Sequence, residues 1–263
     1  MRIINFFLFT VFCSASSCLA CGIEDIKVMH DSPTLDKFGY VGSNMLKNGE
    51  LDVIKKLIKS EDIVFDVGAN VGKWSKKVLS HCGFVKIYAF EPVVSLYKSL
   101  VDNFDTENMH TYNIALSNFQ GSETFYFYPK DTGKSGFYDR EILRTMCKLQ
   151  PEEITVEVDT LDIFCEKNNI THIDFLKIDT EGEEFRVLSG AYNLLKCNAI
   201  HAIQFEYGGC YIDSKTTLKS VYELLSELGY SVFRIVPKGL IKIVKWRDEL
   251  ENYRYTNYLA VLD

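Results

Sequence analysis

The stretch IVFDVGANVGKWSKKVL, residues 63 to 79, constrains the fold more than any other part of the chain. It begins as a β-branched apolar run, passes an acid and two glycines, and continues at helical spacing. Apolar residues in an unbroken short run suit a strand buried on both faces. A strand that feeds through a tight glycine turn into a helix is the first half of a βαβ unit. The same alternation recurs downstream. Strands are expected over 62–67, 85–90, 111–115, 173–178 and 200–205. Helices are expected over 72–79, 93–104, 161–168, 181–195 and 217–228. Alternating elements imply an α/β fold with a doubly wound, mostly parallel sheet. The runs at 231–236 and 257–262 have no helical pattern between them and read as an antiparallel pair at one edge. That makes a seven-stranded sheet.

Two stretches fall outside this rhythm. SETFYFY, residues 122–128, and ITVEV, residues 154–158, alternate polar and apolar side chains, as half-buried antiparallel strands do. Between them, 129–153 is polar and irregular, and reads as a variable loop or lid. Upstream, 21–60 is a polar N-terminal segment with one short amphipathic helix at 51–58. The main domain therefore covers 61–263.

Residues 1–20 differ from the rest. Arg2 precedes an apolar run from Ile3 to Phe12 and then small residues, the layout of a secretory leader with cleavage after Ala20. The apolar run is too short for a stable transmembrane span. The expected localisation is secretory or membrane-associated, with Cys21 at the new N-terminus, and cytoplasmic if the leader stays in place. Of the eight cysteines, five lie beyond this region at irregular spacing, and are expected to be buried free thiols. The net charge of −7 with interspersed signs argues against nucleic acid as a partner. No His, Cys or Asp grouping has metal-ligand spacing, so no metal is expected.

In a doubly wound sheet, ligands bind outside the carboxyl ends of the strands. Asp66, Gly68, Asn70 and Gly72 lie there. Gly68 allows a tight turn or close approach of a ligand to backbone. Gly72 allows close packing at the helix start, and Asn70 suits a cap or a ligand contact. The second strand ends at Glu91, 23 positions after Gly68, a spacing at which a carboxylate grips ribose hydroxyls. An adenosine-bearing ligand follows. Asn70 in place of the middle glycine and Asp66 before the turn disfavour a pyrophosphate, and with it a dehydrogenase. They suit S-adenosyl-L-methionine, which carries an ammonium and a sulfonium and no phosphate. On the fourth parallel strand Asp179 is expected to face the same crevice. Glu181 and Glu184 are expected in the first turn of the next helix, and Glu183 is expected to face solvent.

FDVGANVGKWS, YAFEP, NIALSNFQGS, VDTLD, FLKIDTEGEEFRVLSGA and IQFEYG, in this order, resemble the FkbM family of S-adenosylmethionine-dependent methyltransferases over roughly residues 60 to 210. The resemblance implies a Rossmann-like methyltransferase fold and O-methylation of a hydroxyl on a small molecule or glycan. It implies that Asp66, Gly68, Asn70 and Gly72 frame the methionine part of the cofactor. Glu91 would then hold the ribose, Asn113 and Ala115 would border the adenine, and Asp179 and Glu181 would sit near the transferred methyl. Asp179 is the expected general base or orienting group, with His172 and His201 as alternatives and Tyr207 as an acceptor-pocket candidate. The competing reading is a non-catalytic secreted or membrane-anchored binding domain of the same architecture.

Overall fold

The structure is a computed structural model, which describes residues 23, 26–30, 42–104 and 107–263. The expected leader lies outside the described residues. Among them, no helix is long and apolar enough to cross a membrane.

The strands, in chain order, are β1 (Val28–His30), β2 (Ile63–Val67), β3 (Lys86–Phe90), β4 (Met109–Tyr112), β5 (Ala115–Leu116) and β6 (Gly121–Phe127). They continue as β7 (Glu152–Asp159), β8 (Ile173–Ile178), β9 (Ile200–Tyr207), β10 (Tyr230–Val236), β11 (Gly239–Lys242) and β12 (Thr256–Leu262). The helices are α1 (Glu50–Leu57), α2 (Lys73–His81), α3 (Val94–Asn103), α4 (Glu141–Thr145) and α5 (Leu161–Lys167). After them come α6 (Glu184–Ser189), α7 (Tyr192–Lys196), α8 (Cys210–Ser214) and α9 (Leu218–Glu227).

The main sheet runs β4-β3-β2-β8-β9-β12-β10-β11-β1. Its first five strands are parallel, and β12 and β10 follow antiparallel. This is a Rossmann-like α/β fold. The seven expected strands form one continuous block, which β11 and β1 extend at the antiparallel edge. Both added strands are short, three and four residues, and carry too few positions to show a period.

Alternation along β2 divides the core. Phe65 and Val67 pack on one face with Phe90, Leu176 and Phe164 of α5. Val64 packs on the other with Ile87, Phe175, and Val53 and Ile54 of α1. Phe164 stands edge-on to Phe90 and Tyr112, with centroids 4.8 Å and 4.7 Å apart. Each such fully buried side chain contributes roughly 1.5–3 kcal/mol over an exposed one, so the strand ends are held rigidly.

Three local outcomes differ from the sequence reading. The expected third strand, 111–115, divides: β4 stays in the main sheet, whereas Ala115 and Leu116 join β6 and β7 in a second, three-stranded sheet. The expected helix over 181–195 starts at Glu184 and breaks at Gly190. Glu181 and Gly182 adopt positive φ, 53° and 113°, which no helix accommodates. A Cβ on Gly190 would sit 2.1 Å from the Ser117 carbonyl oxygen, so the break lets the chain pass β5 at contact. The 129–153 segment holds α4 and one turn of 3-10 helix at Thr132–Lys134, and its last two residues begin β7.

Candidate active site

At the end of β2 the chain turns through Gly68 (φ 81°), Asn70 (φ 51°) and Gly72 (φ 72°). The amides of Gly68 and Ala69 both donate to the Phe90 carbonyl, at 3.1 and 3.0 Å, which ties the turn to the end of β3. A Cβ on Gly72 would lie 2.5 Å from the Phe104 ring, so this glycine serves close packing of α2. Asn70 caps no helix; its Oδ1 accepts from Thr132 Oγ1 at 2.9 Å.

Over this turn lies a cavity of about 410 Å³, within the size range of small-molecule sites. Asp66, Gly68, Asn70, Glu91, Ala115, Asp179 and Glu181 all line it. Seven of the nine expected residues, drawn from separate motifs, therefore meet in one space. Gly72 and Asn113 are not in its wall. The Asn113 amide donates to the carbonyls of Glu91 (2.9 Å) and Pro92 (2.8 Å), and so shapes the corner that presents Glu91. Residues 131–135 and Phe137 of the irregular segment also line the cavity, and that segment is its cover. Ser43, Met45 and Glu50 close it from the N-terminal side.

Asp66 is fully buried. Its Oδ2 accepts from Ser75 Oγ at 2.6 Å, while Oδ1 has no hydrogen-bond partner among the described residues. A buried acceptor in that state is costly unless a ligand completes it. Burial raises the Asp66 carboxyl above its ordinary range, against the pull of Lys177 and Ser75. Lys177 is itself buried, with Nζ 2.8 Å from Asp179 Oδ2. Burial works to lower its ammonium, but Asp179, Asp66 and Glu50 overcome that and raise it. Glu50, on the first turn of α1, accepts from Gln204 Nε2 at 2.7 Å. Lys177 and Gln204 lie within FLKIDTEG and IQFEYG but do not stand out there, and Glu50 lies outside every motif; only their place on buried strand and helix faces reveals them.

Glu91 is 4% exposed. Its two oxygens accept from the Asn70 amide (2.8 Å) and the Val93 amide (2.9 Å). Burial pushes its carboxyl up to about 7, against the opposing pull of the two amide hydrogen bonds. Each oxygen keeps a second lone pair, so a vicinal diol in the cavity can still be held.

Oxygens of Asp179, Glu181 and Glu206 lie within 4.8 Å of one another. Linear spacing does not show this grouping, because Glu206 comes from the end of β9. Glu181 accepts from Lys134 Nζ at 3.1 Å and from Arg140, which also reaches Asp213 at 3.3 Å. Burial works to raise Asp179, but Lys177 wins and holds it below its ordinary value. Burial, then the neighbouring Asp179 and Glu181 charges, raise Glu206 well above its own.

The remaining candidates divide differently. Glu183 does not face solvent: it is 3% exposed, accepts from Ser117 Oγ at 2.5 Å and pairs with Tyr138 and Arg186. It links Ser117, just after β5, and Tyr138 of the cover segment to the start of α6. Glu184 is fully buried and accepts from the Thr180 amide (2.9 Å), its hydroxyl (3.1 Å) and the Gly182 amide (3.0 Å). His201 and His172 pair with Asp174 near the start of β8 and are not in the cavity wall. Tyr207 is buried against Tyr211 and Tyr258, and its hydroxyl donates to Glu251 at 2.9 Å. These three residues serve the fold. Cys165 and Cys210 are buried, whereas Cys147 and Cys197, which follow helix ends, are exposed.

Comparison with known proteins decides the family. The model of the methyltransferase FkbM domain matches residues 66–232. The chain belongs to the FkbM methyltransferase family. The 31-O-demethyl-FK506 methyltransferase FkbM of Streptomyces tacrolimicus is 33% identical over 158 residues, 51% of this chain and 60% of that protein. The chain thus spans less than two thirds of that relative's length. The hexuronic acid methyltransferase AglP of Haloferax volcanii is 25% identical over 183 residues, 68% of this chain and 69% of that one. The crystal structure of methyltransferase FkbM from Methylobacillus flagellatus aligns over 78% of this chain and 44% of that one, at 15% identity and a TM-score of 0.48. The FkbM match begins at Asp66 and ends in β10, so it contains the turn, Glu91 and all three clustered carboxylates.

Proposed function

We propose that the protein transfers a methyl group from S-adenosyl-L-methionine to a hydroxyl of a small molecule or glycan. The observation that carries this reading is the single cavity that joins the Asp66–Gly72 turn and Glu91 to the Asp179–Glu181–Glu206 carboxylates. The orphaned Asp66 oxygen suits the cofactor's ammonium, Glu91 the ribose diol, and Ala115 with Ile114 and Phe125 the adenine. When bound, the cofactor supplies a methyl already activated on sulfur, so the protein's task is alignment and handling of one proton.

Asp179 stays ionised beside Lys177 and orients the acceptor hydroxyl, and Glu181, fixed by Lys134 and Arg140, shapes the acceptor side. The segment 131–137 covers the cavity and limits water. Relatives that bear the names of an FK506 methyltransferase and a hexuronic acid methyltransferase support acceptors with hydroxyl groups.

Calorimetric titration with S-adenosylmethionine and S-adenosylhomocysteine tests the cofactor assignment. Micromolar binding of both, lost in Glu91→Ala, is expected. A folded protein that binds neither overturns the reading. Transfer of a labelled methyl from the cofactor to a panel of polyols and glycosides then tests the acceptor class.

A further inference from the structure

Asp179 and Glu206 sit side by side at the ends of adjacent parallel strands. In the β8–β9 register Ile178 faces Phe205, and the next pair along is Asp179 with Glu206. Both line the cavity. The cations of the site are unevenly shared. Lys177 is committed to Asp179, and Lys134 and Arg140 are committed to Glu181. Among the described residues, no lysine or arginine forms an ion pair with Glu206. Yet Glu206 is 6% exposed, and its carboxyl lies with those of Asp179 and Glu181 in a group whose oxygens are within 4.8 Å of one another. Buried acids this close disfavour ionisation of all three. Lys177 holds Asp179 below its ordinary value, and Lys134 and Arg140 are committed to Glu181, so burial and these neighbours raise Glu206 well above its own.

We propose that Glu206 is the proton acceptor of the methyl-transfer step, beside Asp179, which holds the acceptor hydroxyl. The proposal rests on the methyltransferase reading above. In the empty site burial and the neighbouring carboxylates favour the neutral form of Glu206. A positively charged sulfonium in the same low-dielectric cavity favours its ionised form, and Glu206 gives up its proton to solvent as the cofactor binds. In the transfer step the acceptor oxygen forms a bond to the methyl carbon while the carbon–sulfur bond breaks. Its electron pair goes to sulfur, and the hydroxyl proton passes to Glu206.

The charged and titratable groups around Glu206 all bear on this assignment. Asp179 and Glu181 after β8 and Glu184 of α6 raise its carboxyl, and Lys134 of the cover segment lowers it. Cys210 and Tyr211 of α8, and Tyr255 before β12, lie close enough to be raised by its charge. All three are neutral near pH 7. The balance is therefore three acids against one cation, and a second cation in the cavity tips it.

Proton release on ligand binding tests this without an acceptor. Binding enthalpies measured near pH 7 in buffers of different ionisation heat give the number of protons exchanged. The sulfonium cofactor should release about one proton more than the neutral thioether S-adenosylhomocysteine. Any proton displaced from Glu91 by ribose is common to both ligands and cancels. Glu206→Gln should bind S-adenosylhomocysteine within about threefold of wild type and lose the difference. In the wild-type protein labelled with 13C at glutamate carboxyls, one resonance should report ionisation on addition of S-adenosylmethionine only, whatever the stability of the variant. Equal proton release by both ligands overturns the role of Glu206 and leaves the cofactor reading intact, whereas failure of both to bind overturns the cofactor reading itself. A difference that survives Glu206→Gln, or that vanishes with EDTA and returns with Mg²⁺, also overturns the proposal.

Discussion

A Cβ placed on Gly68 would lie 2.0 Å from the Asp179 carbonyl oxygen. The turn after β2 and the turn after β8 therefore touch backbone to backbone, and the cofactor side and the acceptor side of the cavity share one hinge point. Gly68 also holds φ at 81°, where an L side chain is strained. Gly68→Ala must displace one turn or the other. A loss of about 1–3 kcal/mol in stability is expected from strain and overpacking, with affinity for S-adenosylhomocysteine reduced at least tenfold. Thermal unfolding and calorimetry measure the two, and wild-type affinity in Gly68→Ala would show that the turns move independently.

Lys177 carries the charge balance beneath the cavity. It touches Asp179 at 2.8 Å and lies near Asp66 and Glu50, with its ammonium 5.9 Å from the centre of the Trp74 ring. Lys177→Met keeps the stem volume and removes the cation. Breaking a buried pair in this way costs about 3–5 kcal/mol. Acidification should partly restore the variant, because protonating the acids relieves the uncompensated charge. Chemical denaturation at pH 8 and pH 6 reads the effect: the deficit against wild type should be smaller at pH 6, and a pH-independent deficit would contradict this account.

What the sequence made legible followed from period and punctuation. The β2–turn–α2 unit, Glu91 at the end of β3 and Asp179 after β8 were each readable, because a parallel strand buried on both faces must place its next polar residue at the carboxyl edge. Glu206 was not, since the eight-residue β9 is buried throughout apart from His201 and its final acid resembles any strand end. Lys177 was hidden for the opposite reason: inside FLKID it breaks an apolar run, and only three-dimensional placement shows three carboxylates around it. Glu183 looked like a helix-surface charge, because the helix was expected to begin at Glu181. The positive φ values at Glu181 and Gly182 rotate the first turn and aim Glu183 inward to Ser117. No local pattern encodes that rotation, which depends on Glu184 collecting the loop amides.

Glu91 ties cofactor affinity to pH. Its carboxyl is raised to about 7 in the folded protein, and a ribose diol donates to the ionised form. Below pH 7 the cofactor must displace a proton to bind, so affinity falls as pH drops and levels off above about 8. Between pH 7 and pH 5 the dissociation constant of S-adenosylhomocysteine should rise by one to two orders of magnitude, about tenfold per pH unit once the proton is bound. Glu91→Gln should bind weakly and without this slope. A wild-type affinity that is flat from pH 5 to 8 would mean that Glu91 does not contact the ribose.

Arg140 fastens the cover segment. Its guanidinium reaches Glu181 in the cavity wall and Asp213 on α8, and its side chain is only 10% exposed. Lys134 makes a parallel contact to Glu181 but is 35% exposed, so solvent screens it and its deletion should cost little, about 0–1 kcal/mol. Arg140→Ala removes the charge-assisted hydrogen bond to Glu181 and the ion pair to Asp213 at once, and should cost about 2 kcal/mol, the scale of a hydrogen bond to a charged group. The loss should be local, because α4 contributes one buried apolar residue, Leu143, and so holds the segment weakly by packing alone. Amide exchange should accelerate across 129–150 while protection in β8 and β9 stays unchanged, and bound S-adenosylhomocysteine should dissociate faster. Comparing exchange maps of Arg140→Ala and Lys134→Ala decides the matter. Equal effects of the two variants would mean that the segment is held by its contacts to Asn70 and Glu183 instead.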